Sequence, residues 1–434
     1  MTPGRGEDAL AEDSLLSDEL LQQLMAVGQV DILVGVPTLN NESTIGVVID
    51  AVRKAFATHF RRDRTVLINS DGGSTDGTTE RVRDRSMEDA ETLTVSHSLR
   101  TIHRISTPYH GVPGKGNALR QILAAADLTQ ARAVAVLDPD VISVTADWIA
   151  ALVRPVRDQQ YDYVAPVYSR HPLEGPLVTQ MVRPLMRAVY GWHIREPLAA
   201  EFGCSRRFLT HALEQDVWDS ELAQYGIDLW VTGAALTGEF RCCQAPLGPR
   251  TQATGQNRPG FPEIFRQVAG SAFGCIERDA PYWLTRSAFE PLPVVGPIRE
   301  SVVDAPAVDG SRLTQTFCAD LRNLQSVLEP ILSGDTLASL NRMADVACER
   351  LQYPDQLWVT TVYEFLAAHH QGVMRREHIT QALAPLYLGR AGAFLIQYAA
   401  ADPADVDAAL EDLCLEFERS KPFLVTRWNQ ASPR

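Results

Sequence analysis

Short apolar runs alternate with segments of helical periodicity along the first part of this 434-residue chain. The run Asp31–Pro37 is almost continuously apolar, as expected of a strand buried on both faces of a parallel sheet. In Thr44–Phe60 the apolar residues recur every three or four positions, which predicts a helix, with Ser43 or Asn41 as its cap. This alternation predicts an α/β fold whose mostly parallel sheet is flanked by helices.

The same alternation continues to residue 168. We predict further strands over 65–69, 101–105, 133–137 and 161–168, and helices over 75–85, 115–128 and 145–156. In sheets of this kind, ligands bind beyond the carboxyl ends of the strands. Functional residues are therefore expected in the loops that directly follow strands.

The sequence pattern changes near residue 295, where a proline-rich stretch is followed by segments of helical periodicity. We predict helices over 335–351, 357–370 and 378–398, in a region punctuated by Pro354, Pro385 and Pro403. His369 and His370 have no partners at ligand spacing and are expected at the surface or at an interface. The predicted division is a tail and short helix over 1–28, an α/β domain over 29–290, and a helical C-terminal subdomain over 291–434.

The chain carries 54 acidic and 40 basic residues, a formal net charge of −14. That charge argues against nucleic-acid partners and a polybasic membrane anchor, so an anionic ligand would need a metal or local cations. Seven scattered cysteines suit buried thiols in a reducing compartment. The chain shows no secretory signal pattern and no uninterrupted apolar run of membrane-spanning length, so we expect a cytoplasmic protein.

Four loops that follow predicted strands carry the chemistry of the chain. They are Pro37–Glu42, Asn69–Gly77, Gly111–Asn117 and Asp138-Pro-Asp140. The glycines of the third loop allow close backbone approach at a helix N-terminus, and its lysine adds a positive charge for phosphate. The two aspartates of the fourth loop have a spacing at which carboxylates can share a divalent cation. Together the loops predict a site for a nucleoside diphosphate sugar.

Each loop alone also has a simpler interpretation. The glycine-rich stretch before Asn117 is common in turns, and it is not a Walker A loop because it lacks the four-residue spacer and the following Ser or Thr. The second and fourth loops could each be a turn and a helix cap. The order of all four at one sheet edge favours the functional interpretation.

The motifs PxLNxE, NSDGGSTDGT, GKGNAL and DxD, in this order, resemble those of the GT-A glycosyltransferases. Within that fold the chain is similar to the retaining glucosylglycerate synthases and the glucosyl- or mannosyl-3-phosphoglycerate synthases. The similarity extends over nearly the whole chain, including 161–191, 202–230 and 382–390. It implies a GT-A fold, a Rossmann-like, mostly parallel sheet with a helical C-terminal subdomain, and transfer of glucose or mannose to a small hydroxy acid such as D-glycerate or 3-phosphoglycerate. The product would be a compatible-solute glycoside.

The resemblance also implies a role for each matching residue. It assigns nucleotide-sugar binding to Pro37, Thr38, Leu39, Asn41, Asp71, Lys115 and Asp138, and catalytic roles to Asp140, Asp228 and Lys115. It assigns acceptor binding to Arg183, Ala199, Ala200 and Glu201, and a Mg²⁺ or Mn²⁺ site to Asp138, Asp140 and Gln252. The helical C-terminal region would suit a homodimer interface.

Two departures from the family pattern keep an alternative open. Gln252 stands where the family has histidine, and Ala199-Ala200 stands where it has a Gly-Gly pair. The amide is a poorer ligand for softer metals, and the two methyl groups crowd the acceptor side. The alternative is therefore a catalytically weakened nucleotide-sugar-binding or regulatory homologue. A nucleotidyltransferase is less consistent with the sequence, because its Gly-rich phosphate loop would directly follow the first strand.

Overall fold

The computed structural model describes residues 16–93, 103–108, 115–253, 261–297, 309–345 and 350–430. Within these ranges the chain folds into a central sheet with helices on both faces. The acidic N-terminal tail, the first two residues of the strand predicted at 101–105, and Gly111–Gly114 of the glycine-rich loop lie outside the described residues.

The strands are β1 (Ile32–Thr38), β2 (Thr65–Asp71), β3 (His103–Pro108), β4 (Ala133–Val136), β5 (Tyr163–Ser169), β6 (Trp192–His193), β7 (Phe202–Ser205), β8 (Cys242–Pro249) and β9 (Glu290–Pro291). Strands β1 to β5 closely follow the predicted apolar runs, whereas β6 to β9 were not predicted. Seven of the strands form one sheet in the order β3-β2-β1-β4-β7-β5-β8, while β6 and β9 pair separately. Strand β7 is antiparallel to both of its neighbours, and the other pairs of the large sheet are parallel. The mostly parallel α/β fold is thus confirmed.

The helices before residue 290 flank this sheet. They are α1 (Asp18–Val27), α2 (Ile45–His59), α3 (Thr78–Leu93), α4 (Lys115–Leu128), α5 (Ala146–Gln159), α6 (Arg183–Tyr190), α7 (Arg206–Leu213), α8 (Glu221–Tyr225), α9 (Ile227–Thr237), α10 (Phe261–Arg278) and α11 (Ala280–Trp283). A π-helical turn, Val178–Val182, leads directly into α6.

Both faces of the sheet are buried, as its apolar strands require. Leu33 and Val34 are adjacent in β1, and they belong to two different hydrophobic clusters on opposite faces. Helices α2 and α5 contribute Val48 and Ile149 to one cluster, and α4 contributes Ile122 to the other. A one-residue shift in register would exchange the two faces, so this packing fixes the strand alignment.

The C-terminal helices pack against the α/β layer around a shared core. They are α12 (Gly310–Asn323), α13 (Gln325–Leu328), α14 (Gly334–Ala344), α15 (Asp355–Gln371), α16 (Arg376–Tyr398), α17 (Pro403–Arg419) and α18 (Lys421–Trp428). Phe265 of α10 and Tyr387 of α16 have ring centroids 5.0 Å apart. Helix α16 is long and apolar enough to cross a membrane, but 78% of its apolar window is buried inside the protein, as expected of a core helix.

Two local predictions were wrong. The cap of α2 is Thr44, because the Asn41 side chain instead binds the Leu39 amide and Asp140. His369 is buried rather than at a surface. Its Nδ1 lies 2.6 Å from Glu277 Oε1, and this partner belongs to a distant helix, α10. Pro385 lies inside α16, as the helix predicted over 378–398 implies, and buried neighbours on both sides outweigh the lost backbone hydrogen bond.

Strand β7 approaches helix α5 so closely that one position excludes any side chain. A Cβ atom on Gly203 would lie 2.2 Å from the backbone oxygen of Leu152. We expect Gly203→Ala to lower the free energy of unfolding by about 1–3 kcal/mol, because backbone must move to accept the methyl group. Denaturant unfolding measures the change.

The matched control is Gly334→Ala, because a Cβ atom at this helix-starting glycine meets nothing within 4 Å. Its unfolding free energy should change by less than about 1 kcal/mol. Equal destabilisation by the two substitutions would contradict the close packing of β7 on α5.

Candidate functional site

A cavity of about 510 Å³ opens at the carboxyl ends of β1 and β4; we call it the first cavity. Eleven of the residues predicted from the sequence line it: Pro37, Thr38, Leu39, Asn41, Lys115, Asp138, Asp140, Ala199, Ala200, Asp228 and Gln252. Its volume falls in the range of small-molecule sites, about 300–1,000 Å³. The structure therefore brings most of the predicted residues together.

Asp71 lies behind the wall of this cavity and organises the loops around it. Its carboxylate accepts hydrogen bonds from the Thr38 hydroxyl at 2.9 Å, the Ser74 hydroxyl at 2.6 Å, and the Gly73 and Ser74 amides. The side chain is buried and is not among the lining residues. Its observed contacts link the ends of β1 and β2.

Asp138 and Asp140 follow β4 directly and face the first cavity from one tight turn. The Asp140 amide donates to Asp138 Oδ1 at 2.9 Å, and Asn41 Nδ2 donates to Asp140 Oδ1 at 2.7 Å. The loop after β8 pairs with this turn through a backbone bridge between Val141 and Gln252. That pairing carries the side chain of Gln252 to Asp138, with Nε2 3.1 Å from Oδ2.

Arg250 is the cation that joins the two sides of the cavity. Its Nη2 donates to Asp138 Oδ2 at 2.9 Å, and its Nε donates to Glu201 Oε1 at 3.1 Å. Tyr168 donates its hydroxyl proton to the other oxygen of Glu201. Burial raises the pKa of Glu201, and Arg250 opposes that rise by stabilising the carboxylate.

A second ion pair lies beside the first. Lys115, at the N-terminus of α4, donates through Nζ to Asp228 Oδ1 at 2.7 Å; Asp228 stands in the first turn of α9. Removal from water disfavours the ammonium, but attraction to Asp228, Asp138 and Glu201 outweighs it and raises the pKa of Lys115. Burial raises the pKa of Asp228 against the opposing effect of Lys115. Lys115 and Asp228 therefore neutralise each other within the cavity.

The predicted acceptor residues divide between two places. Ala199 and Ala200 line the first cavity, while Glu201 is buried behind them in its pairs with Arg250 and Tyr168. Arg183 lines an adjoining space of about 830 Å³, which we call the second cavity, and its Nη2 lies 4.0 Å from Glu411.

Sequence reasoning did not assign a role to four polar residues of the first cavity: Tyr168, Arg170, Glu196 and Arg250. Burial raises the pKa of Glu196 to about 6, although Arg170, Arg250 and Arg183 oppose the rise. Arg250 stands two residues before Gln252, so its place in that motif was the available signal. Arg170 and Glu196 are brought together by tertiary packing, with Nε and Oε1 3.3 Å apart.

The oxygen-bearing side chains of the site suit a hard divalent cation. In the part of the chain that the structure describes, no three His, Cys, Asp or Glu side chains are grouped as a metal cage. Asp138, Asp140 and the amide of Gln252 nevertheless lie together on one wall. Mg²⁺ is often held by one or two carboxylates and completed by water and substrate phosphates. The donor set fits Mg²⁺ or Mn²⁺ when a diphosphate supplies further oxygens.

Comparison with known proteins points to the same chemistry. Residues 33–208 match the model of Glycosyl transferase family 2, and the match includes β1, β4 and both aspartates of the turn. The match covers less than half of the chain and supports a transferase activity. No curated protein sequence matches the chain significantly.

Solved structures of glucosyl-3-phosphoglycerate synthase from Mycobacterium tuberculosis are also similar. The complex with Mn²⁺, UDP and glucosyl-3-phosphoglycerate is 25% identical, covering 60% of this chain and 83% of that chain, with a TM-score of 0.42. The complex with Mn²⁺ and UDP-glucose is 25% identical, covering 64% and 85%, also with a TM-score of 0.42. Because both scores are below 0.5, the fold assignment rests on the sheet itself and on the family match.

The raised pKa of Glu196 predicts a pH-dependent stability. The folded state holds the proton up to about pH 6, whereas an unfolded glutamate loses it near 4.5, so stability falls as pH rises through this window. Through this group alone, we expect the free energy of unfolding of the wild type to fall by up to about 2 kcal/mol as the pH rises through this window. Glu196→Gln should not show this fall, because glutamine does not titrate. Unfolding free energies of both proteins at pH 4.5 and 7.5 measure this difference. An identical pH dependence in the two proteins would contradict the prediction.

Proposed function

We propose that this glycosyltransferase moves glucose or mannose from a nucleoside diphosphate sugar to a small hydroxy acid such as D-glycerate or 3-phosphoglycerate. The observation that carries the proposal is the meeting of Lys115, Arg250 and the Asp138–Asp140 turn in one cavity at the carboxyl ends of the strands. A diphosphate is the ligand group that such a mixture of cations and metal-binding carboxylates suits.

The chain offers distinct surfaces for the parts of the donor. Thr38 and Leu39, at the end of β1, line the cavity on the side where Thr38 binds Asp71. Leu39 is 52% exposed and offers an apolar surface to a nucleobase. Lys115 begins α4, so the ammonium and the positive end of the helix dipole act on the same phosphate. Arg250 adds a second cation beside the Asp138–Asp140 turn.

Asp138, Asp140 and Gln252 would hold the divalent cation. When bound, that cation supplies Lewis-acid neutralisation of the departing diphosphate. The ammonium of Lys115 acts on the same developing charge, which is the largest in the reaction. The hydrogen bond from Asn41 orients the Asp140 carboxylate within the turn.

The carboxylates of the cavity favour a front-face reaction with retained configuration. Asp228 is engaged by Lys115, and Glu201 is engaged by Arg250 and Tyr168, so each is stabilised as an ion-pair partner and is a poor nucleophile. In this proposal the bond between the anomeric carbon and the β-phosphate oxygen breaks. The acceptor hydroxyl forms the new bond on the same face, and its proton passes to the released diphosphate.

The first experiment measures release of nucleoside diphosphate from UDP- and GDP-sugars with D-glycerate or 3-phosphoglycerate and Mg²⁺ or Mn²⁺. We expect release that requires both acceptor and metal and that a chelator abolishes. Binding of the nucleotide without turnover would instead support the regulatory alternative. Neither binding nor release with any donor would overturn the proposal.

The carboxylate of Asp140 is expected to be essential for turnover. Replacing it in Asp140→Asn leaves a neutral amide beside Asn41, which cannot balance a cation at the turn. We expect the rate of nucleoside diphosphate release to fall by about 100-fold or more. The matched control is Asp412→Asn on the exposed face of α17, which should stay within twofold of the wild type. Equal rates for both variants would exclude Asp140 from the reaction.

The amide of Gln252 is expected to bias the site toward the harder metal. Imidazole is a better ligand for Mn²⁺ than an amide oxygen, whereas Mg²⁺ prefers oxygen. We therefore expect Gln252→His to raise both the affinity for Mn²⁺, measured by electron paramagnetic resonance, and the ratio of Mn²⁺- to Mg²⁺-supported activity. If neither quantity changes, Gln252 is not a metal ligand.

A further inference from the structure

The second cavity continues the first and is large enough for a ligand of its own. The two share Tyr168, Arg170, Val178 and Glu196 as lining residues, so they meet along this wall. The far wall of the second cavity comes from the C-terminal helix α17, including Ala404. A three-carbon acid bound beside the donor would leave most of these 830 Å³ unused.

A buried polar atom of the second cavity lacks a partner. Thr179 Oγ1 is removed from solvent and makes no hydrogen bond with the residues that the structure describes. Thr179 belongs to the π-helical turn at 178–182, a rare feature that is frequent at functional sites. A buried hydroxyl without a partner costs free energy, and a hydroxyl-rich ligand would satisfy it.

The second cavity is lined by three arginines and three acids, but two of the arginines are not held in a close ion pair with these acids. Glu174 and Glu196 both lie near Arg170, at 3.7 and 3.3 Å. Arg183 lies 4.0 Å from Glu411, and the exposed guanidinium of Arg195 makes no ion pair or hydrogen bond with any described residue. Asp407 and His171 are the other titratable groups that line the space. Arg183 and Arg195 are thus placed for a carboxylate.

We propose that the second cavity binds the acid end of a longer acceptor, a hydroxy acid that already carries one sugar. This inference rests on the proposed function, whose product belongs to that chemical class. The sugar of the acceptor would place a hydroxyl in the first cavity, and its carboxylate would meet Arg183 and Arg195. The donor's anomeric bond to phosphate breaks, a glycosidic bond to the acceptor sugar forms, and the hydroxyl proton leaves with the nucleoside diphosphate.

The test compares D-glycerate with 2-O-glucosylglycerate as acceptors for the full chain, with the donor and metal that give the highest activity. We expect kcat/KM to be about tenfold higher for the glycoside, because the second cavity binds part of it. Ala404→Trp should fill the second cavity, removing that advantage while leaving activity with D-glycerate within twofold. The matched control is Ala408→Trp, at an exposed position one turn along α17 that does not line the cavity.

A second variant tests the recognition of charge. Arg195→Gln should raise KM for 2-O-glucosylglycerate by about tenfold and leave KM for the uncharged 2-O-glucosylglycerol unchanged. Equal effects on both glycosides, or equal effects of the two tryptophan substitutions, would overturn the inference. Turnover of D-glycerate without turnover of the glycoside would overturn this inference alone. Absence of release with every acceptor would overturn the proposed function as well.

Discussion

The bridge that Arg250 makes between Asp138 and Glu201 is the interaction on which the site depends. It ties the loop after β8 to the turn after β4 and to the residue before β7. A buried carboxylate without a cation is costly, and removing one member of such a set leaves an uncompensated charge. Arg250 therefore permits two acids to be placed near a cavity in a chain whose overall charge is −14.

The direction of β7 explains how Glu201 comes to lie there. Strand β7 runs antiparallel between β4 and β5, with Phe202 opposite Val136. The residue that precedes β7 therefore lies at the same edge as the residues that follow β4. One reversed strand in a parallel sheet thus brings the acid that precedes it to the edge where Asp138 and Asp140 follow a parallel strand. The close approach of Gly203 to α5 holds this strand in place.

Features governed by local periodicity could be predicted from the sequence. The helix expected at 115–128 has those bounds in the structure, and Asp138 and Asp140 face the cavity as their position after a strand predicts. Features that depend on distant partners could not. The pairing of Arg170 with Glu196 and that of His369 with Glu277 each join segments whose contact no local pattern encodes.

The hydrogen bonds that the Asp138 carboxylate already accepts also set a condition on ligand binding. Oδ2 of Asp138 already accepts hydrogen bonds from both Arg250 and Gln252, and Oδ1 accepts from the Asp140 amide. A divalent cation at Asp138 must therefore compete with a guanidinium for the same carboxylate. In the proposed function, an incoming diphosphate would provide new anionic oxygens for Arg250. Separating Arg250 from Asp138 would therefore cost less free energy when nucleotide and metal bind together than when the metal binds alone. If the site binds both as proposed, the arrangement of these residues predicts cooperative binding of metal and nucleotide.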